Sequence, residues 1–104
     1  MSITNYEKLC IYQEFKNDSC MLMIFDTESK KYYHMELDEP SCKNITSLSL
    51  NSFRIALNMC IKKESNFLLT YQIIGDILKL IFDCRECLGC YTFNLNLVEK
   101  KNQL

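Results

Sequence analysis

Residues 67–98 read FLLTYQIIGDILKLIFDCRECLGCYTFNLNLV, and the reading of this stretch decides the fold. Two apolar runs flank the dipeptide Gly75-Asp76, and a cysteine-rich segment leads to a third. Glycine followed by aspartate suits a two-residue hairpin loop. With the turn placed there, Ile73 faces Leu78, Tyr71 faces Leu80 and Leu69 faces Phe82. Gln72 then meets Lys79 on the opposite face. Side chains alternate with period two along a strand, so a slip of one residue would exchange the two faces. The third run keeps the pattern, with Tyr91, Phe93, Leu95 and Leu97 alternating against Thr92, Asn94 and Asn96. These residues predict a three-stranded antiparallel meander with one buried face.

Working outward, a second meander is expected in the first forty residues. Residues 7–15 place Leu9, Ile11 and Phe15 on one side and Cys10, Tyr12 and Glu14 on the other. A polar cluster, 16–19, reads as a turn. Residues 20–25, CMLMIF, form a short continuous apolar run, expected as a central strand covered on both faces. After a second polar turn, Tyr33, Met35 and Leu37 alternate along the next strand, and Pro40 closes the meander. Between the meanders, Leu50, Phe53, Leu57, Cys60 and Ile61 recur at helical spacing. Asn51, Arg54, Asn58 and Lys62 form the polar side. Ser49 supplies an N-cap, Lys62 and Lys63 suit the negative helix end, and Asn66 is a terminator. Ile55 and Met59 lie outside the stripe, roughly 140–180° around the helix from Leu50, where either a curved sheet wraps them or they form a candidate contact surface.

The fold class is therefore mainly β (α+β): two antiparallel three-stranded meanders joined by one helix, as a small β-sandwich or half-open barrel. Residues 1–98 are expected to form a single globular domain, and 99–104 the start of a C-terminal helix or tail. The length, 104 residues, supports one core. The apolar fraction of 48% argues against disorder.

Charge and composition exclude several functions. Twelve basic residues against 13 acidic ones give a net charge of −1, with no basic arm for nucleic acid. Tyr91 and Phe93 alternate with Thr92 and Asn94 rather than with basic residues, so they read as core rather than as a stacking platform. Two glycines are too few for phosphate-binding loops. His34 shares a strand face with Glu36, yet no nucleophile accompanies the pair, and no enzyme is expected. No window reaches the roughly 20 apolar residues of a membrane span, and the first residues lack a signal-peptide pattern. An intracellular protein, nuclear or cytoplasmic, with reduced thiols is expected.

Seven cysteines are present, and Cys84, Cys87 and Cys90 form C-x-x-C-x-x-C. One such knuckle is half of a tetrahedral zinc site, and a second is missing. No metal and no cofactor are expected, with these three the weak candidates. The same loop carries Leu88, an apolar side chain on a polar turn, which with Cys87 is the preferred candidate contact, ahead of Ile55 and Met59, the alternative being that Leu88 folds back onto Tyr91.

Residues 21–40, MLMIFDTESKKYYHMELDEP, together with the closing meander, carry a resemblance. The pattern is similar to the globular heads of a superfamily of coiled-coil scaffolds. It includes the end-joining proteins of DNA double-strand break repair, among them the partner of DNA ligase IV, and the centriolar cartwheel protein. Repair-type heads have a similar aspartate after the strand and a tryptophan where Tyr32 or Tyr33 stands. Cartwheel heads carry a run with Asn, Phe, Lys, His and Leu in the last hairpin, where this chain has CRECLGC. The resemblance implies a non-enzymatic scaffold head of the end-joining type, with the cartwheel type as the alternative. It also implies head-to-head contact and a parallel dimer through a following helix. A free-standing viral or regulatory protein-binding adaptor and a sliding-clamp-like half-domain are further alternatives.

Overall fold

The Gly75-Asp76 turn forms as the alternation requires, and its register fixes half of the sheet. In the computed structural model, which describes residues 2–64, 67–84 and 89–98, β5 (Phe67–Ile74) and β6 (Ile77–Cys84) pair antiparallel. Leu69 sits opposite Phe82, Tyr71 opposite Leu80, Ile73 opposite Leu78 and Gln72 opposite Lys79. Gly75 has φ of +58°, a conformation that costs a residue without Cβ little. Strand β7 (Gly89–Leu97) completes this meander, with Phe93 opposite Leu80 and Leu95 opposite Leu78.

The N-terminal half holds one strand more than the sequence reading gave. Strand β1 (Ser2–Tyr6) pairs with β2 (Leu9–Phe15) through a turn at Glu7 and Lys8, so β2 starts two residues later than expected. β3 (Ser19–Asp26) and β4 (Lys31–Asp38) follow. The seven strands form one antiparallel sheet in the order β1-β2-β3-β4-β7-β6-β5. The halves join where Tyr33 meets Leu97 and His34 meets Asn96. Just beyond, the Val98 N–H donates to the Tyr32 carbonyl at 2.9 Å. The sheet curls into a half-barrel, the second of the two expected architectures.

The two outer strands of this sheet are tied across the opening. The Tyr6 hydroxyl donates to the Leu69 carbonyl, linking β1 to β5. Lys63, with φ of +58° just past the helix end, lays its ammonium 5.3 Å from the Tyr6 ring centroid. Burial raises the Tyr6 pKa, with Glu7 adding to the shift. The phenol thus stays a donor across the physiological range.

Two helices, rather than one, link the halves. Asp38 caps α1 (Glu39–Thr46) by accepting from the Ser41 N–H at 2.8 Å. Pro40 stands in the first turn, where its missing N–H has no intrahelical partner to lose. The proline read as the end of a meander therefore begins a helix. Ser49 caps α2 (Leu50–Ile61) by accepting from the Ser52 N–H at 3.2 Å. This helix ends at Ile61 with Lys62 as its C-cap; Asn66 lies outside the described residues. Leu50, Phe53, Ala56, Leu57, Cys60 and Ile61 are buried against the concave face. Phe53 stacks on Phe82 at 5.4 Å and meets Phe93 at 5.2 Å, and these rings anchor the core. Among the described residues no buried side-chain nitrogen or oxygen lacks a hydrogen bond.

Candidate interaction surfaces

The outer side of α2 is the first candidate. Its buried stripe consumes one face of the helix, and a residue half a turn away projects outward. Ile55 is 49% exposed and Met59 38% exposed, so of the two alternatives the sheet does not wrap them. They form a ridge between two hollows. On one side a concavity of about 550 Å³ is lined by Gln13, Phe15, Arg54 and Asn58 together with the ridge and Lys62. On the other, a smaller one of about 220 Å³ is lined by Leu48, Ser52, Ala56 and Phe67 with the same ridge.

The polar groups around the ridge are held in place. Arg54 donates to the Asn51 side chain at 2.9 Å and lies 5.9 Å from the Phe15 ring centroid. Asn58 donates back to the Arg54 carbonyl at 3.0 Å and accepts from buried Gln13 at 3.3 Å. A ridge whose polar neighbours are already fixed loses little side-chain freedom on contact.

Phe67, in the smaller hollow, pairs in register with Cys84 at the base of the β6–β7 hairpin. The α2 ridge and that hairpin therefore adjoin. Cys87 and Leu88, the other expected contact residues, lie outside the described residues. Of the C-x-x-C-x-x-C set, Cys84 ends β6 and Cys90 stands exposed in β7. Among the described residues no group of three or more metal-type ligands comes together.

The remaining thiols divide by depth. Cys20, Cys42 and Cys60 are buried and Cys10 is partly so. Burial, reinforced by neighbouring Cys42, pushes the Cys20 thiol up to about 12. Such a thiol is inert toward nucleophilic chemistry at neutral pH. His34 lies 3.8 Å from Glu36, as the shared strand face required, with His34 half-buried and Glu36 exposed. A pair of this kind at the surface, with its carboxylate in water, carries little energetic weight.

The second surface departs from the sequence reading. Strand β3 is central, but only its concave side is covered. Cys20, Leu22 and Ile24 are buried, whereas Met21, Met23 and Phe25 face outward and are half-exposed. They join Cys10, Tyr12, Tyr32 and Ile3 in an apolar hollow of about 400 Å³ on the convex face. A continuous apolar run is the signature of a strand buried on both sides, and it is also that of a strand with one apolar face left open. Nothing in the run itself separates these cases. The alternation of Cys10 and Tyr12 with Leu9 and Ile11 next door was the available signal.

No helix among the described residues is long and apolar enough to cross a membrane. No family model matches this chain, and no curated protein does. Among solved structures, the crystal structure of the head domain of human CCDC61 matches with a TM-score of 0.72. The match covers 93% of this chain and 98% of that chain, at 14% sequence identity. At that identity the likeness is one of fold: this chain has the architecture of the CCDC61 head domain.

Proposed function

We propose that this chain is a non-enzymatic head domain of a coiled-coil scaffold protein of the centriolar type, working inside the cell through contacts with itself or with another protein. The observation that carries this reading is the fold shared with the CCDC61 head over nearly the full length of both chains. Within the superfamily that the sequence resembles, this neighbour favours the centriolar branch. The end-joining branch, expected first from the sequence, finds no support in the comparisons and gives way to it.

The α2 ridge supplies the contact. Ile55 and Met59 present apolar side chains between two hollows, beside the base of the last hairpin. A contact this small is weak between isolated heads and becomes effective when heads are linked in pairs. The variants Ile55→Glu and Met59→Glu are expected to reduce head-to-head association in sedimentation velocity while leaving the melting point unchanged. The cellular arm compares tagged chain at labelled centrioles with tagged chain at induced DNA breaks. Accumulation at centrioles supports the reading; accumulation at breaks alone restores the end-joining branch.

A further inference from the structure

We propose that the open edge of β5 is a self-association seam, separate from the α2 ridge, on which two copies pair β5 antiparallel about a two-fold axis through Gln72. Strand β5 ends the sheet, so one side of its backbone has no strand beside it. The Gly75-Asp76 turn tells which residues face that side. A two-residue hairpin loop is flanked by a hydrogen-bonded pair, here Ile74 and Ile77, and bonded pairs then alternate along the ladder. Leu68, Thr70 and Gln72 therefore bond to β6, while Phe67, Leu69, Tyr71 and Ile73 turn their backbone groups outward. Two outward groups agree with this parity. The Phe67 N–H donates to the Glu64 carbonyl at 3.0 Å, and the Leu69 carbonyl accepts from the Tyr6 hydroxyl. No hydrogen bond from the described residues reaches the outward backbone of Tyr71 or Ile73.

Free backbone donors and acceptors along an edge fit an extended strand, and natural edges are shielded from one by charge, proline or brevity. β5 has none of these shields: its eight residues, FLLTYQII, hold no charged side chain and no proline. The other edge, β1, is five residues long. The side chains then choose a second copy over a foreign strand. With Gln72 of each copy on the axis, Tyr71 stands opposite Ile73 of the second copy, twice over. Each bonded pair exchanges two hydrogen bonds, so the seam holds four and uses every free backbone group of Tyr71 and Ile73. On the concave side half-buried Tyr71 covers Ile73, which is 36% exposed alone. Aromatic and β-branched residues are favoured partners across strands. On the convex side Thr70 meets Ile74, 52% exposed, and the two Gln72 amides meet each other. No charge within the strand opposes itself. Of the charged groups that act on Tyr71, Lys8 and Glu28 pair with each other and Asp26 is bound within its own turn, which leaves Glu7. Moving the axis to Tyr71 would bring Ile73 onto Leu69, whose outward side Tyr6 already occupies. A two-fold contact needs such a self-complementary segment.

Length sets the strength. The five residues from Thr70 to Ile74 span about 17 Å at about 3.3 Å each. A seam one strand wide falls short of the about 800 Å² per partner of a stable interface. The contact is therefore weak, and it is sought at high concentration.

The experiment is sedimentation equilibrium of the full chain at up to about 1 mM, in low salt. The chain carries Met59→Glu throughout, so that failure of the α2 contact proposed above leaves this test intact. Self-association is expected. Ile73→Pro removes an outward N–H and spares the ladder to β6. It is expected to weaken association at least about tenfold, because by symmetry two of the four seam bonds go. Gln72→Lys alone and Gln72→Glu alone are each expected to weaken association by setting like charges together on the axis, and an equimolar mixture of the two is expected to restore it. Gln72 is exposed, so these two variants test the seam even where Ile73→Pro lowers the melting point. A monomer at every concentration overturns the proposal, as does association indifferent to Ile73→Pro or to charge at Gln72. Loss in both charge variants without recovery in the mixture overturns it too, because an axis through Gln72 must bring the opposite charges together.

Discussion

The two halves of the sheet share one concave core and differ on their convex faces. On the β5–β7 half every transverse row is interrupted by polar groups: Thr70–Ile81–Thr92, Gln72–Lys79–Asn94, and Ile74 and Ile77 with Asn96. On the β1–β4 half the rows through Met23 and Phe25 are apolar or aromatic across β2 and β3. Alternation in the first half means that water is the partner of the convex side. Its absence in the second means that water is a poor partner there. One sheet thus carries both a finished surface and one suited to contact.

The largest effect that would sharpen this contrast is in the shared core. Phe53 is fully buried and touches the rings of Phe82 and Phe93. Phe53→Ala or Phe82→Ala is expected to cost about 3–5 kcal/mol in urea unfolding, a large part of what a domain of this size possesses. Phe25→Ala, on the convex side of the other half, is expected to cost well under half as much. Comparable losses would mean that the convex face is core after all.

How much of this was legible in the sequence follows the same contrast. The β5–β6 register was readable to the residue because glycine and aspartate marked the turn, and the buried face of β7 was readable from its alternation, whereas its register on β6 came from the structure. The buried stripe of α2 and its Ser49 cap were readable from a 3.6-residue period. Two elements were missed for physical reasons. Strand β1 is five residues long, and its two apolar side chains, Ile3 and Tyr6, fall on opposite faces and set no alternation, so it holds its place by pairing with β2 rather than by propensity. Helix α1 buries only Cys42 and Thr46, too few to make a period, and its Pro40 reads equally as a stop or a start. The convex patch was hidden because an apolar run says that a strand avoids water without saying what covers it. The α2 ridge was legible as an exception to its stripe.

The next effect tests the tie between the two edges. Tyr6→Phe keeps the ring and removes only the hydroxyl that reaches the Leu69 carbonyl. The expected cost is about 1–3 kcal/mol, since a carbonyl facing the barrel opening loses its donor. Hydrogen exchange should show the loss concentrated in β1 and β5. If exchange rises uniformly instead, the hydroxyl does not tie the two edges, which are then held by the helices and the continuous sheet.

A smaller effect is confined to the β3–β4 turn. Burial works against an ionised Asp26, but the Ser29 hydroxyl and the Glu28 and Ser29 N–H groups prevail, and its pKa is lowered. A lowered folded pKa contributes stability that is present above the unfolded value of about 3.9 and is lost as pH falls through the folded value. Asp26→Asn is therefore expected to destabilise by about 1 kcal/mol at neutral pH. That difference should disappear in melts run at progressively lower acid pH. A difference that persists at the acid end would assign the cost to packing rather than to charge.

The smallest effect is the most visible contact on the surface. Lys8 and Glu28 meet at 2.6 Å and bridge the β1–β2 turn to the β3–β4 turn, within the half whose convex face is apolar. Hydrogen bonding to Glu28 raises the Lys8 pKa. Both side chains are nonetheless open to water, where screening and the cost of holding two long chains in one geometry cancel most of the attraction. Thr27 already fastens the same two turns, its N–H and hydroxyl both donating to the Lys8 carbonyl at 2.9 and 2.8 Å. Those bonds use the Lys8 backbone and survive loss of its side chain. Lys8→Ala is accordingly expected to leave the melting point unchanged, in low salt as well as high. A clear drop in low salt that vanishes in high salt would show the turn to be held by charge, and the N-terminal half would then differ from its partner in what holds it together as well as in what it displays.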